Sequence, residues 1–361
     1  MRKELENTYI KNPDGGLTVT ARSRAGEIVK FDVDPETLKH PLPDGRVCEL
    51  IPVIPNIVLL FPTEDLRGKV DPEKIMTFAA RLTQSRMRIA NLLETIDEKK
   101  IKQILEQTIM PNKHYSVIEK FSFLYGIEGV SRAFSHQFVR HRLMSPEQQS
   151  QREVDPLNPR YPDPWFEFVV PPSMRHDKDM FVRYVEVVKE SLAAYQVARK
   201  SGADPEDARM FLQNAAATRL LVAMNARVLF EFLEKRTCSL AQWEIDIVAT
   251  KMFEITYPWI PSVLKFAGPS CVRGPCTEGK RYCGLPLKPL HHYIGLESMP
   301  HDFPFDPKDQ WQKTALEKKT KGREFKVPKT TWWQGPEEPQ VIDLAEVAGA
   351  EVEEESEEDF S

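Results

Sequence analysis

From Glu128 to Glu153 the chain reads EGVSRAFSHQFVRHRLMSPEQQSQRE, and two residue classes repeat there at one interval. Val130, Phe134 and Phe138 recur every fourth residue, and Arg132, His136 and Arg140 do the same on roughly the opposite side. That period predicts an amphipathic helix with its aromatic face toward a core. Pro146 predicts a helix end near Met144 or Ser145, because the residue before a proline is pushed out of the helical region. A polar loop is expected next, carrying Ser145, Gln148, Gln149, Ser150 and Arg152. Arginines, a histidine and serines thus gather at one helix end, and Glu147 is the only acid between Arg140 and Arg152. Forked guanidinium donors and hydroxyls suit a bound phosphate. A solvated basic face, paired with acids elsewhere, is the alternative.

With 361 residues the chain can bury one large core or two modest ones. Its 29 prolines exceed the usual ~5% and fall mostly in the first hundred residues and after Tyr257. Loop-rich ends around a more regular middle are therefore expected. The net charge of −5 gives no global attraction to nucleic acid or membrane, so an anion site must be local. The opening MRKELENTYI lacks a signal peptide's apolar segment, and no apolar run approaches ~18 residues. Five cysteines without an export signal point to a reducing interior, with free thiols or a metal rather than disulfides. A soluble cytoplasmic protein is expected, with no membrane partner.

Along the chain, Asp14-Gly15-Gly16 predicts a turn, and Leu17 to Ala21 and Glu27 to Val33 predict a hairpin turning near Gly26. VCELIPVI and NIVLLF read as strands that Pro52 and Pro55 make edge-like or broken. Asp71-Pro72-Glu73 opens a helix: an N-cap, a proline in the first turn and an acid beside it. A second helix is expected from about Ile96 to Thr108, and a strand from Trp165 to Val170. A long helix follows from Lys178 to Lys200, with Gly202 as its C-cap. Asp204-Pro205-Glu206-Asp207 starts another helix and places Arg209 in its first turns. Thr218 to Ala223 suits either strand or helix. Asn225 to Lys235 and Trp243 to Phe253 read as helices, the latter stopped before Pro258. No internal repeat is present.

The spacing Arg140-His141-Arg142, seven residues, Ser150, one residue, Arg152 resembles the signature of the flavin-dependent thymidylate synthases. HYSVIE (His114 to Glu119), the lead-in SHQFVRHR, and NAR…R…AQWE (Asn225 to Glu244) are similar as well. The resemblance covers roughly Val47 to Ala267. It implies an α+β domain with a central, mostly antiparallel sheet and packed helices. It also implies a methyltransferase that converts deoxyuridine monophosphate (dUMP) to dTMP. FAD would be the cofactor, with NADPH and methylene-tetrahydrofolate as co-substrates. A homotetramer with shared active sites would be the assembly.

Carried over position by position, Ser150, Arg152 and Arg209 would grip the nucleotide phosphate. Gln137, Arg140, Gln148, Gln149 and Gln151 would complete the dUMP contacts. Arg236 would be the catalytic residue, binding the uracil edge and stabilising charge there. The FAD contacts would be His114, Ser116, Glu119, Arg140, His141, Arg142, Gln148, Asn225, Arg227 and Glu231. The chain departs from the family pattern at Lys120, Glu153, Gln213 and Glu231. An acid at Glu231 would either repel a phosphate or hold a ribose hydroxyl. Without the resemblance, Arg236 reads as a helix-end cation and His141 as an ordinary polar histidine. No G-x-G-x-x-G follows a strand, so a doubly wound dinucleotide fold is not indicated.

Three divisions follow: an extension over 1–46, a catalytic domain over 47–267, and an extension over 268–361. The last holds Cys271, Cys276 and Cys283 with His291 and His292 after them. Three thiolates and one histidine could hold zinc, but the spacing lacks the tight C-x2-C of common zinc sites, so free thiols in a loop are the favoured expectation and no metal ligand is assigned. A basic segment from Lys313 to Lys329 and an acidic end from Glu346 to Asp359, expected to be disordered, complete the chain. Two rival functions remain: a flavin enzyme acting on another pyrimidine nucleotide, and a phosphate- or RNA-binding module using Arg140, Arg142 and Arg152.

Overall fold

A computed structural model of the chain describes residues 8–22, 28–160, 162–238, 240–278 and 290–293. The strands are β1 (Thr8–Lys11), β2 (Leu17–Arg22), β3 (Ile28–Val33), β4 (Lys39–Pro41), β5 (Val47–Val53), β6 (Asn56–Phe61), β7 (Ser122–Ser131), β8 (Ser145–Gln148), β9 (Trp165–Val169) and β10 (Ala217–Asn225). The helices are α1 (Pro72–Leu82), α2 (Ile89–Glu94), α3 (Glu98–Ile104), α4 (Arg132–Phe138), α5 (Pro172–Arg175), α6 (Lys178–Lys200), α7 (Pro205–Ala208), α8 (Ala226–Arg236), α9 (Trp243–Thr256) and α10 (Pro261–Leu264). The fold is α+β, and among the described residues every strand pair but one is antiparallel: only β5 and β9 run parallel.

Two cores organise these elements. The larger lies under the sheet β6-β7-β10-β8, where Phe123, Tyr125 and Ile127 of β7 meet Val222 and Met224 of β10. Phe134 and Phe138 of α4, Leu229 and Phe232 of α8, and Val248 and Met252 of α9 close it from the other side. The smaller core joins Leu17, Val19 and Val33 of the N-terminal sheet to Leu50, Phe168 and the α6 residues Phe181, Val185 and Leu192.

The stretch that opened the sequence reading folds differently from its period. Val130 belongs to β7, not to a helix starting at Glu128. At Gly129 the chain takes φ +66, and the pairing with β10 slips between Thr218 and Leu220. This bulge turns Val130 inward after Ile127, so a helix-like spacing arises from a strand followed by a helix. Ser131 then caps α4, its Oγ accepting from the Phe134 amide at 3.0 Å. The helix ends at Phe138, earlier than Pro146 predicts, and the chain reverses through Leu143 at φ 73. Ser145 to Gln148, expected as loop, forms β8 beside β10.

Other expectations met smaller corrections. β5 lies between β4 and β9 rather than at an edge, and β4 pairs only with Val47 to Glu49, leaving Pro52 beyond it. The helix expected from Ile96 spans Glu98–Ile104 and continues as a π-helical turn, Leu105–Ile109, while α2 had no sequence signal. Arg209 opens a 3-10 turn after the short α7 instead of lying inside a helix. Thr218 to Ala223 is strand. The hairpin pairs as expected, with β1 added at its side. Its turn at Gly26 lies outside the described residues. So do Cys283, the basic segment and the acidic end.

A Cβ on Gly129 would fall 2.1 Å from the Ile54 carbonyl oxygen, and its φ disfavours any L side chain. Gly129→Ala is therefore expected to lower unfolding stability by more than ~1 kcal/mol in urea denaturation. An unchanged midpoint would show that the bulge is not needed.

Candidate active site

The turn after α4 and the last turns of α8 enclose a cavity of about 620 Å³. Gln137, Arg140, His141 and Arg142 line one side, and Glu231, Phe232, Lys235 and Arg236 the other. Arg236 Nε donates to His141 Nε2 at 2.6 Å, so the imidazole proton resides on Nδ1. The ring stands edge-on to Phe232 at 5.0 Å. Burial, then the charges of Arg236 and Lys235, push His141 down to about 4. The ring is thus neutral at pH 7. Burial first, then the neighbouring Arg140, also lowers Arg236. Among the described residues Arg140, Arg142, Lys235 and Arg236 carry no ion pair.

Glu231 is the only acid lining this cavity, and it faces Arg227, whose Nε donates to it at 2.8 Å. Arg227 also reaches Glu119 at 2.5 Å, so two carboxylates hold one guanidinium. Asn225 is occupied locally: its Oδ1 caps α8 by accepting from the Val228 amide at 2.9 Å. His114 and Ser116 are exposed on the turn before β7 and do not line the cavity. Gln148 does not line it either.

A second cavity, of about 390 Å³, opens on the other side of α4. Arg132, His136, Gln148, Gln151 and Arg209 line it, and no carboxylate does. Burial lowers Arg132, and the charge of Arg209 adds to the effect. The two guanidinium groups therefore face each other without an anion between them. A third cavity, of about 340 Å³, holds Gln149, Ser150 and Gln151 against Trp165 and Arg219. Arg152 is exposed and pairs with Glu206 at 2.9 Å, while the Glu206 carbonyl accepts from Arg209 Nε at 3.1 Å.

Apart from Arg152, which is exposed and lines none of them, the residues expected to meet dUMP fall on three neighbouring grooves of one chain. Gln137, Arg140 and Arg236 share the largest, Gln148 and Arg209 the second, Gln149 and Ser150 the third, and Gln151 lines both the second and the third. Arg132, His136 and Lys235 were not among the expected site residues. The signal for the first two was present, because they precede Arg140 at four-residue steps on the basic face of α4.

The family described as Thymidylate synthase complementing protein matches residues 66–262. Flavin-dependent thymidylate synthase of Geobacter sulfurreducens is 40% identical over 219 residues, 61% of this chain and 92% of that protein. The enzyme of that name from Clostridium tetani is 35% identical over 230 residues, 59% of this chain and 89% of its own length. A crystal structure of a UMP/dUMP methylase PolB from Streptomyces cacaoi, bound with 5-Br dUMP, superposes with a TM-score of 0.49 at 20% identity. It covers 60% of this chain and 94% of that one, and a likeness of this size adds nothing to the assignment. The chain is an enzyme and belongs to the flavin-dependent thymidylate synthase family.

The neutral imidazole gives a direct test. A depressed folded-state pKa means that the associated stability is complete above the ordinary value of 6.5 and is lost as pH falls through about 4. The His141 ring protons should titrate by NMR with a midpoint near 4. A midpoint near 6.5 would contradict the burial of this ring beside the charges of Arg236 and Lys235.

Proposed function

We propose that the enzyme methylates dUMP to dTMP, with methylene-tetrahydrofolate as carbon donor, NADPH as reductant and FAD as cofactor. The observation that carries this reading is the pair of cation-lined cavities on either side of α4. The larger has a volume suited to a cofactor and holds four cations without ion pairs around a neutral histidine. That donor set fits the pyrophosphate of a dinucleotide, held by Arg140 and Arg142. A bound flavin would supply hydride chemistry that no side chain here offers. Arg236 would hold the O4/N3 edge of the pyrimidine and offset the negative charge that develops as C5 attacks the carbon donor. The neutral His141 orients Arg236 without adding a charge. Arg132, Arg209, Gln148 and Gln151 would take the nucleotide phosphate, joined by Ser150 and Arg152.

The separate grooves fit a site completed by a second copy of the chain, as in the proposed homotetramer. The sheet offers a face for such a contact. Val58, Leu60 and Leu221 lie on the side away from the larger core and are 47%, 41% and 41% exposed. The catalytic unit is proposed to span 47–267, between two extensions. No helix among the described residues is long and apolar enough to cross a membrane. Cys48 and Cys276 are free thiols, which fits a reducing compartment, and the cytoplasm is the proposed location.

Incubation with dUMP, methylene-tetrahydrofolate, NADPH and FAD should yield dTMP. RNA affinity that falls steeply with salt, without any turnover, would contradict the reading. Arg236→Ala should lower kcat by on the order of 100- to 1000-fold while FAD remains bound; unchanged kcat would exclude Arg236 from the chemistry. Arg132→Ala and Ser150→Ala should each weaken dUMP binding, by roughly 10-fold or more for the charged donor. Calorimetric dissociation constants equal to wild type would remove these residues from the phosphate site.

A further inference from the structure

We infer that Glu244 is a positioning residue for this reaction, fixing the β7–α4 junction from which both cation-lined cavities are built; the inference rests on the nucleotide-methylating reading. Glu244 lies in the first turn of α9, 1% exposed, and spends both carboxylate oxygens on one residue. Oε1 accepts from the Ser131 amide at 2.6 Å, and Oε2 accepts from the Ser131 hydroxyl at 2.7 Å. Ser131 Oγ in turn accepts from the Phe134 amide, which starts α4. The near end is fixed as well, because Gln242 Oε1 accepts from the amides of Glu244 and Ile245 at 3.0 and 3.1 Å. A continuous set of hydrogen bonds therefore runs from α9 through Glu244 and Ser131 into α4.

Capping does not explain the carboxylate. Ser131 alone satisfies the helix start, and serine is among the best caps. A buried carboxylate carries a desolvation cost, and burial indeed raises Glu244 against the lowering effect of its Ser131 bonds. What the cost secures is the place and rotamer of Ser131. That matters because α4 has only seven residues and serves two sites. It sends Arg132 and His136 into the smaller cavity, and Gln137 with the following Arg140 and His141 into the larger. A tilt of α4 would move both cation sets at once, and misplacement by about 1 Å can cost on the order of 100-fold in function.

The molecule contains its own control. Glu73 of α1 grips Ser262 in the same way, accepting from its amide at 2.6 Å and its hydroxyl at 2.9 Å. Ser262 lies in α10, which lines none of the three cavities. If such clamps only stabilise the fold, Glu73 and Glu244 should behave alike.

The test measures the dUMP dissociation constant by calorimetry and the unfolding midpoint in urea, on the full chain. Glu244→Gln and Ser131→Ala should each raise the dissociation constant by about 10- to 100-fold. Ser131→Thr, which keeps the hydroxyl, should restore binding. Glu73→Gln should lower the unfolding midpoint and leave dUMP affinity at the wild-type value. Equal affinity in wild type, Glu244→Gln and Ser131→Ala would overturn the inference. So would a loss of affinity in Glu73→Gln matching that in Glu244→Gln. If Glu244→Gln does not fold, the Ser131→Ala and Ser131→Thr pair decides alone. A wild-type chain that binds no dUMP would sink the nucleotide reading and this role with it, whereas wild-type binding with unaffected variants sinks only the role of Glu244.

Discussion

Guanidinium groups held close together without carboxylates between them repel one another, and the fold must sustain that repulsion. Arg236 faces Arg140, and Arg132 faces Arg209; Arg236 and Arg132 hold their protons less tightly, first because they are buried and then because of the neighbouring charge. Folding alone gives no reason to keep such pairs, because an acid at either place would relieve them. A ligand with negative charge does give one. Elsewhere the protein places acids against arginines readily, as Glu167 does for Arg219 and Glu234 for Arg273. The acid-poor cavities are therefore the proposed anion sites, and the neutral His141 keeps the larger one from gaining a further charge.

Packed aromatic rings support these cations from below. Aromatic side chains of α4 and α8 interlock beneath the cations, with Phe138 edge-on to Phe232 at 5.5 Å and Phe232 edge-on to His141. The apolar core thus sets the height and tilt of the polar groups above it. Sequence, packing and charge placement meet at the bulge of Gly129, where a strand hands over to the helix that feeds both cavities.

Much of this was legible in the residues. The strands with alternating apolar positions, the long α6 and the proline-initiated α1 follow from local rules. The four-residue period around Phe134 misled at its start, because a bulged strand and the helix after it can present the same spacing. Only the left-handed Gly129 and the capping Ser131 distinguish the two cases, and both are visible in the text EGVS once tertiary pairing is known. β7 itself had no reading, although Phe123, Tyr125 and Ile127 alternate with Ser122, Leu124, Gly126 and Glu128 and supply its buried face. Of the site, the signature residues were placed by resemblance, while Arg132 and His136 needed the cavity to show their use. His141 could not have been assigned a neutral ring from spacing, because that depends on Phe232, Lys235 and Arg236 arriving from another helix.

The central proposal is a cationic cavity that accepts a flavin dinucleotide. Its most direct test is the visible absorption spectrum of the purified chain, before and after mixing with FAD and removing excess by gel filtration. A retained yellow chromophore, lost in a variant lacking the Arg140 and Arg142 guanidinium groups, is the predicted result. A protein that elutes colourless after saturation with FAD would contradict it.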